Sequence, residues 1–141
     1  LSLSAARWFD RWIDLNDAYG FGPPAHALVA ATLRDASGAL LGQAFHVLGG
    51  LPAQRDPAVS PQGVFQVRDD GSVDAVLRCD RFAAFVHFDV PGFAPDAAYF
   101  HLAPGVERSV RFVPAAAPAP LFGGRVMALN GAYPGAFKPA P

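Results

Sequence analysis

Apolar and polar residues alternate with a period of two along much of the chain, and the alternating runs are cut by Gly, Pro and Asp. Successive side chains of a strand point to opposite faces, so such runs predict half-buried β-strands. The plainest is Val73 to Cys79, where Val73, Ala75, Leu77 and Cys79 share one face and Asp74 and Arg78 the other, with Val76 between them. Phe65 and Val67 share a face just before it, and Asp70-Gly71 supplies the positive backbone angles of a tight turn, which predicts a hairpin. Ala27, Val29, Ala31 and Leu33 define another inner face. The turn Asp35-Ala36-Ser37-Gly38 then leads into a strand from Ala39 to Leu48, a second hairpin. Phe82, Ala84, Val86, Phe88 and Val90 alternate with Ala83, Phe85, His87 and Asp89 until Pro91-Gly92 ends the run. Val106, Arg108, Val110 and Phe112 alternate with Glu107, Ser109, Arg111 and Val113, and Val110 and Phe112 set the buried side of a closing strand.

A first strand near Arg11 to Tyr19 completes the set. The expected fold class is all-β, an immunoglobulin-like antiparallel β-sandwich of about seven strands. Trp8, Trp12 and Leu15 also fall at helical spacing, so a short amphipathic helix at the start stays open, although two aromatics and the β-branched Ile13 favour the strand. Pro114-Ala115-Ala116-Ala117-Pro118-Ala119-Pro120 cannot donate into a ladder at its prolines and reads as an extended linker. Beyond it, Arg125 to Leu129 reads as a short docked strand and Pro134 to Pro141 as a loose end. The expected division is an extension from a preceding domain over 1–10, the sandwich over 11–113 and a Pro/Ala-rich extension over 114–141.

Charge narrows the function classes. The net charge is -1 and only 16% of residues are charged, so no basic stripe exists for nucleic acid or anionic lipid, and neither nucleic acid nor a membrane is an expected partner. The hydrophobic content of 52% is high for a free-standing module, which points to apolar surface facing another domain. Cys79 is alone, so an intrachain disulfide and a CxxC motif are both excluded. The chain starts at Leu1 and its one methionine is Met127, which fits a piece of a longer protein.

Candidate chemistry is sparse. Asp35, Asp69, Asp70, Asp80 and Asp96 sit at predicted turns or strand ends, where carboxylates bond nearby backbone amides, and no spacing singles out the two carboxyl groups a glycosidase needs. His46, His87 and His101 lie on or beside strands without a close ligand spacing, so no metal site is expected. Cys79 falls on an inner face, where a thiol behaves as a small hydrophobe. Gly20-Phe21-Gly22-Pro23-Pro24 lacks the helix that a phosphate cradle requires, and no cofactor is expected. Trp8, Trp12, Phe85 and Tyr99 are the aromatic candidates, with burial in a core or a domain interface as the favoured role. Exposed on a sandwich, Trp12, Phe85 and Tyr99 would be sugar contacts, and Phe85 is set apart because it falls opposite its strand's inner face.

The run from Arg81 through Phe112, RFAAFVHFDVPGFAPDAAYFHLAPGVERSVRF, resembles the C-terminal immunoglobulin-like domain of bacterial β-mannosidases of glycoside hydrolase family two. Asp96, Tyr99, Phe100, Leu102, Pro104 and Gly105 match its signature, while Ala97 and Ala98 replace the usual Asp-Asn pair and Val106 intervenes before Glu107. Asp17 to Val47 is similar to the start of that domain and Gly123 to Asn130 to its end. The resemblance implies a parent enzyme that removes terminal β-mannose with retention, using two glutamates on a separate barrel. Glu107, the sole glutamate, matches neither. The chain itself is then expected to carry no catalytic residue and to act as a structural accessory domain, partnered by the other domains of the parent glycosidase. A carbohydrate-binding module that takes manno-oligosaccharide, and a free-standing interaction domain, are the alternatives. The compartment stays open between periplasm and cytoplasm. The signature is read as a structural corner in which Phe100 and Leu102 point inward and Tyr99 and His101 outward; a fully buried Phe100 would cost about 3–5 kcal/mol on truncation to Ala.

Overall fold

The computed structural model describes residues 28–47, 49–50 and 54–141. Ten strands form among them, and no helix. They are β1 (Leu28–Arg34), β2 (Leu40–Val47), β3 (Gln62–Val67), β4 (Val73–Arg78), β5 (Ala83–Asp89), β6 (Phe93–Pro95), β7 (Phe100–Leu102), β8 (Arg108–Pro114), β9 (Arg125–Met127) and β10 (Gly135–Pro139). The strand expected near Arg11 to Tyr19, and Trp8 and Trp12 with it, lies outside the described residues.

Strands β1 and β2 pair as a two-stranded hairpin. Its turn forms because the Asp35 carboxylate accepts the amides of Ser37 and Ala39 and the Ser37 hydroxyl, while Gly38 takes φ +87° without a Cβ clash. The other eight strands form one continuous sheet in the order β6-β8-β4-β3-β10-β9-β5-β7. It curls so that its two halves face each other as a β-sandwich: the Phe88 ring of β5 meets the Phe112 ring of β8 edge-on at 5.0 Å. Every pair is antiparallel except β10 with β3, which is parallel.

The core follows the alternation. Val73, Ala75, Leu77 and Cys79 are buried to 3% exposure or less, while Val76 and Arg78 between them are exposed. Val110 and Phe112 of β8 close the same face, and Phe88, Phe122 and Phe137 surround Phe112 at ring distances of 5.0, 5.3 and 5.7 Å. Asp70-Gly71 makes the predicted hairpin turn, with Gly71 at φ +80° and the Arg68 amide donating to the Ser72 carbonyl.

Two expectations are corrected. Residues 134–141 are not loose: β10 lies in the middle of the sheet, between β3 and β9, so this end of the chain joins the two halves of the sandwich. The close approach is set by two glycines. A Cβ on Gly135 would run into the Pro61 carbonyl, and a Cβ on Gly63 would stand 2.5 Å from the Phe137 ring, which fills that space instead. The face Ala31 and Leu33 was to bury is also open, for both are exposed among the described residues. The hairpin touches the sandwich through Phe45, whose ring lies 5.9 Å from Phe82 and 5.4 Å from His101.

Candidate functional site

Where β5 pairs with β7, the register runs Ala83↔Leu102 and Val86↔Phe100. Three steps on β5 thus face two on β7, and the extra residue makes a β-bulge. Ala83 and Ala84 are both fully buried as a result, a break in the alternation that the sequence pattern did not show. Phe85 takes φ +48° and loses its place in the ladder. Its backbone groups are satisfied by two imidazoles: the Phe85 amide donates to His101 Nδ1 at 3.2 Å, and His87 Nδ1 donates to the Phe85 carbonyl at 2.9 Å. These partners fix opposite tautomers. His101 carries its proton on Nε2 and accepts at Nδ1, whereas His87 carries a proton on Nδ1. Burial pushes the His101 pKa below its usual value, which suits a ring that must stay an acceptor.

Facing the bulge, Tyr99 adopts φ +58°, with its amide donating to the Val86 carbonyl at 2.6 Å. Its ring stacks on His87 with centroids 5.6 Å apart and planes 11° from parallel. Tyr99 is 68% exposed, whereas Phe85 is half-buried with its ring edge-on to His101 at 4.7 Å. Of the three aromatic sugar-contact candidates, the structure therefore brings Phe85 and Tyr99 to one edge of the sandwich. Trp12 lies outside the described residues.

The other signature residues shape the corner. Asp96 accepts the Arg111 amide at 3.0 Å and donates its own amide to the Arg111 carbonyl, which ties the segment before β7 to β8. Leu102 is fully buried and Phe100 half-buried, with the Arg108 guanidinium 4.0 Å above its ring. The full-burial cost for Phe100 is reduced accordingly. Pro104-Gly105 turns the chain, with Gly105 at φ +70° donating to the Cys79 carbonyl.

Carboxylates do structural work. Asp35, Asp56 and Asp70 accept amides two residues onward. Asp74, half-buried on the outer face of β4, is bonded by Arg111 Nε at 2.8 Å and Arg68 Nε at 2.7 Å, which hold its pKa at about 2. The resolved shifts at Asp35, Asp70 and Asp74 all run downward, the opposite of what a general acid needs. Glu107 is exposed just before the closing strand β8. Among the described residues no three His, Cys, Asp or Glu side chains group as metal ligands, and Cys79 is buried at 3%. No helix among them is long and apolar enough to cross a membrane.

Comparison of the chain with models of protein families, with curated proteins and with solved structures returns no match.

Proposed function

We propose that the chain is a non-catalytic accessory domain of immunoglobulin-like type, which packs beside the barrel of a β-mannosidase that cleaves terminal β-mannosides with retention. The observation that carries this reading is the corner from Asp96 to Gly105. Its residues match the family signature, and their side chains and amides brace a sandwich edge without presenting a reacting group. Open apolar surface supports a role beside other domains: Leu121 is 97% exposed and Tyr133 66%, as expected of a face that a neighbouring domain covers.

The test pairs the chain with what precedes it. Expressed with the upstream coding sequence, the protein is expected to release the aryl group from an aryl β-mannoside, and the pure chain is not. Turnover by the pure chain, or an upstream sequence that encodes no barrel, overturns the reading.

A further inference from the structure

A side-chain carboxamide is most readily attacked by the next backbone nitrogen when Asn is followed by Gly, because glycine has no Cβ to obstruct the approach. The chain has one such pair, Asn130-Gly131. The fold calls for both residues. A carboxamide is needed at 130 to accept from the Ala84 amide and donate to the Phe82 carbonyl at the same time. At Gly131 a Cβ would stand 2.7 Å from the Val59 carbonyl oxygen, so a larger residue forces the backbone to shift.

The same contacts keep the pair from reacting. Attack requires the Gly131 nitrogen to give up its proton and reach Asn130 Cγ, with the carboxamide free to swing over the backbone. In the folded chain the Gly131 amide donates to the Ala128 carbonyl at 3.0 Å, and the carboxamide is held at both ends. The flanking peptide groups are fixed as well. The Asp56 amide donates to the Asn130 carbonyl at 2.8 Å, and the Ala132 amide donates to the Asp56 carbonyl at 3.2 Å. Asn130 and Gly131 are both buried.

We propose that Asn130-Gly131 is a deamidation site closed by the native fold, so that opening of the segment from Ala128 to Ala132 becomes irreversible. Once the segment is released, the Gly131 nitrogen bonds to Asn130 Cγ, the Cγ–Nδ2 bond breaks, and ammonia leaves with the proton that the Gly131 amide gave up. Water then cleaves the cyclic imide at either of its carbonyls. Cleavage at Cγ leaves an aspartate, and cleavage at the main-chain carbonyl leaves an isoaspartate whose backbone is longer by a methylene. Neither product fits the closed site. The aspartate turns a carboxylate oxygen onto the Phe82 carbonyl, and the isoaspartate lengthens the backbone between groups that must both pair with Asp56. Each opening thus carries a chance of becoming permanent, which makes loss of the fold a one-way process. None of this depends on the accessory-domain reading.

The test incubates the whole chain at mildly alkaline pH, in native buffer and in unfolding urea, beside the capped peptide Ala-Leu-Asn-Gly-Ala, and follows conversion of Asn130 by peptide mapping. In urea the rate is expected to match that of the peptide. In native buffer it is expected to be slower by about a hundredfold or more, and to rise with subdenaturing urea in step with the open population. The modified chain is then returned to native buffer beside a sample held in urea at acid pH, where the Gly131 amide keeps its proton. Its folding equilibrium is expected to lie about tenfold or more toward the unfolded state. A native rate equal to the peptide's overturns the closure by the fold. An unchanged unfolding midpoint in the modified chain overturns the one-way opening, and either result leaves the accessory-domain reading standing.

Discussion

Asn130→Ala is expected to be among the most destabilising single changes outside the hydrophobic core. Asn130 is 6% exposed, and its amide spans the fold: Oδ1 accepts the Ala84 amide at 2.8 Å, while Nδ2 donates to the Phe82 carbonyl at 2.9 Å. Both partners sit where β5 enters its bulge, and Ala84 is fully buried, so water cannot replace the lost acceptor. An orphaned buried amide costs about 1–3 kcal/mol, and a carbonyl in a half-buried residue adds about 1 kcal/mol, for a loss of about 2–4 kcal/mol. In a domain of this size that lowers the melting temperature by about 6–12 °C. Urea unfolding followed by circular dichroism measures it, with an unchanged m value as the sign that the unfolded state is unaffected. Asn130→Asp keeps the acceptor but turns a carboxylate oxygen onto the Phe82 carbonyl in a buried place, so it is expected to be no more stable than Asn130→Ala at neutral pH. A loss below about 0.5 kcal/mol in Asn130→Ala would refute the bridging role.

Truncation after Tyr133 deletes β10 and strips partners from both β3 and β9; the shortened chain is expected to lose cooperative unfolding, and a transition like that of the whole chain would show that β10 is dispensable. Stability is expected to fall as the pH drops below 6.5, because His101 binds a proton less readily in the folded chain than in the unfolded one. Its contribution is full above the unfolded value of 6.5 and is lost as the pH falls through the folded one, so His101→Gln, which offers an uncharged acceptor to Phe85, is expected to flatten the slope of the urea midpoint. A second loss is expected between about 3.8 and about 2, as Asp74 takes a proton and releases Arg111 and Arg68.

Legibility tracked the length of each alternating run. Strands β4 and β8 offer six and seven residues in which a one-residue slip would expose every core side chain, so pattern and face are locked together. The aspartates at turns were readable for a similarly local reason: Asp35 and Asp70 bond amides two residues away, within reach of short-range geometry. Strand β9 falls within the short docked strand expected over Arg125 to Leu129, whereas β10 spans five residues with Gly and Pro among them, too short for a period to register. The candidate site was half visible. Tyr99 and His101 were placed outward by alternation, and the sequence marked Phe85 as lying off the inner face. Missed were the roles of His87 and His101, whose imidazoles serve a backbone that only the bulge leaves unpaired. A signal was available in the adjoining Ala83-Ala84, where two small residues precede the phase change.

By itself, then, the sequence determined an all-β chain, the inward faces of its longer strands and the turns that separate them, because each of these depends on neighbours within a few residues. Tertiary structure alone decided that the C-terminal segment enters the sheet between β3 and β9, that Gly63 and Gly135 make room for it, and that an extra residue in β5 turns Tyr99 onto His87. The entry of β10 depends on strands that meet across a long stretch of chain, with Phe137 paired to Gly63. Pairing at that range is chosen by packing of whole sheets, and no local pattern encodes it.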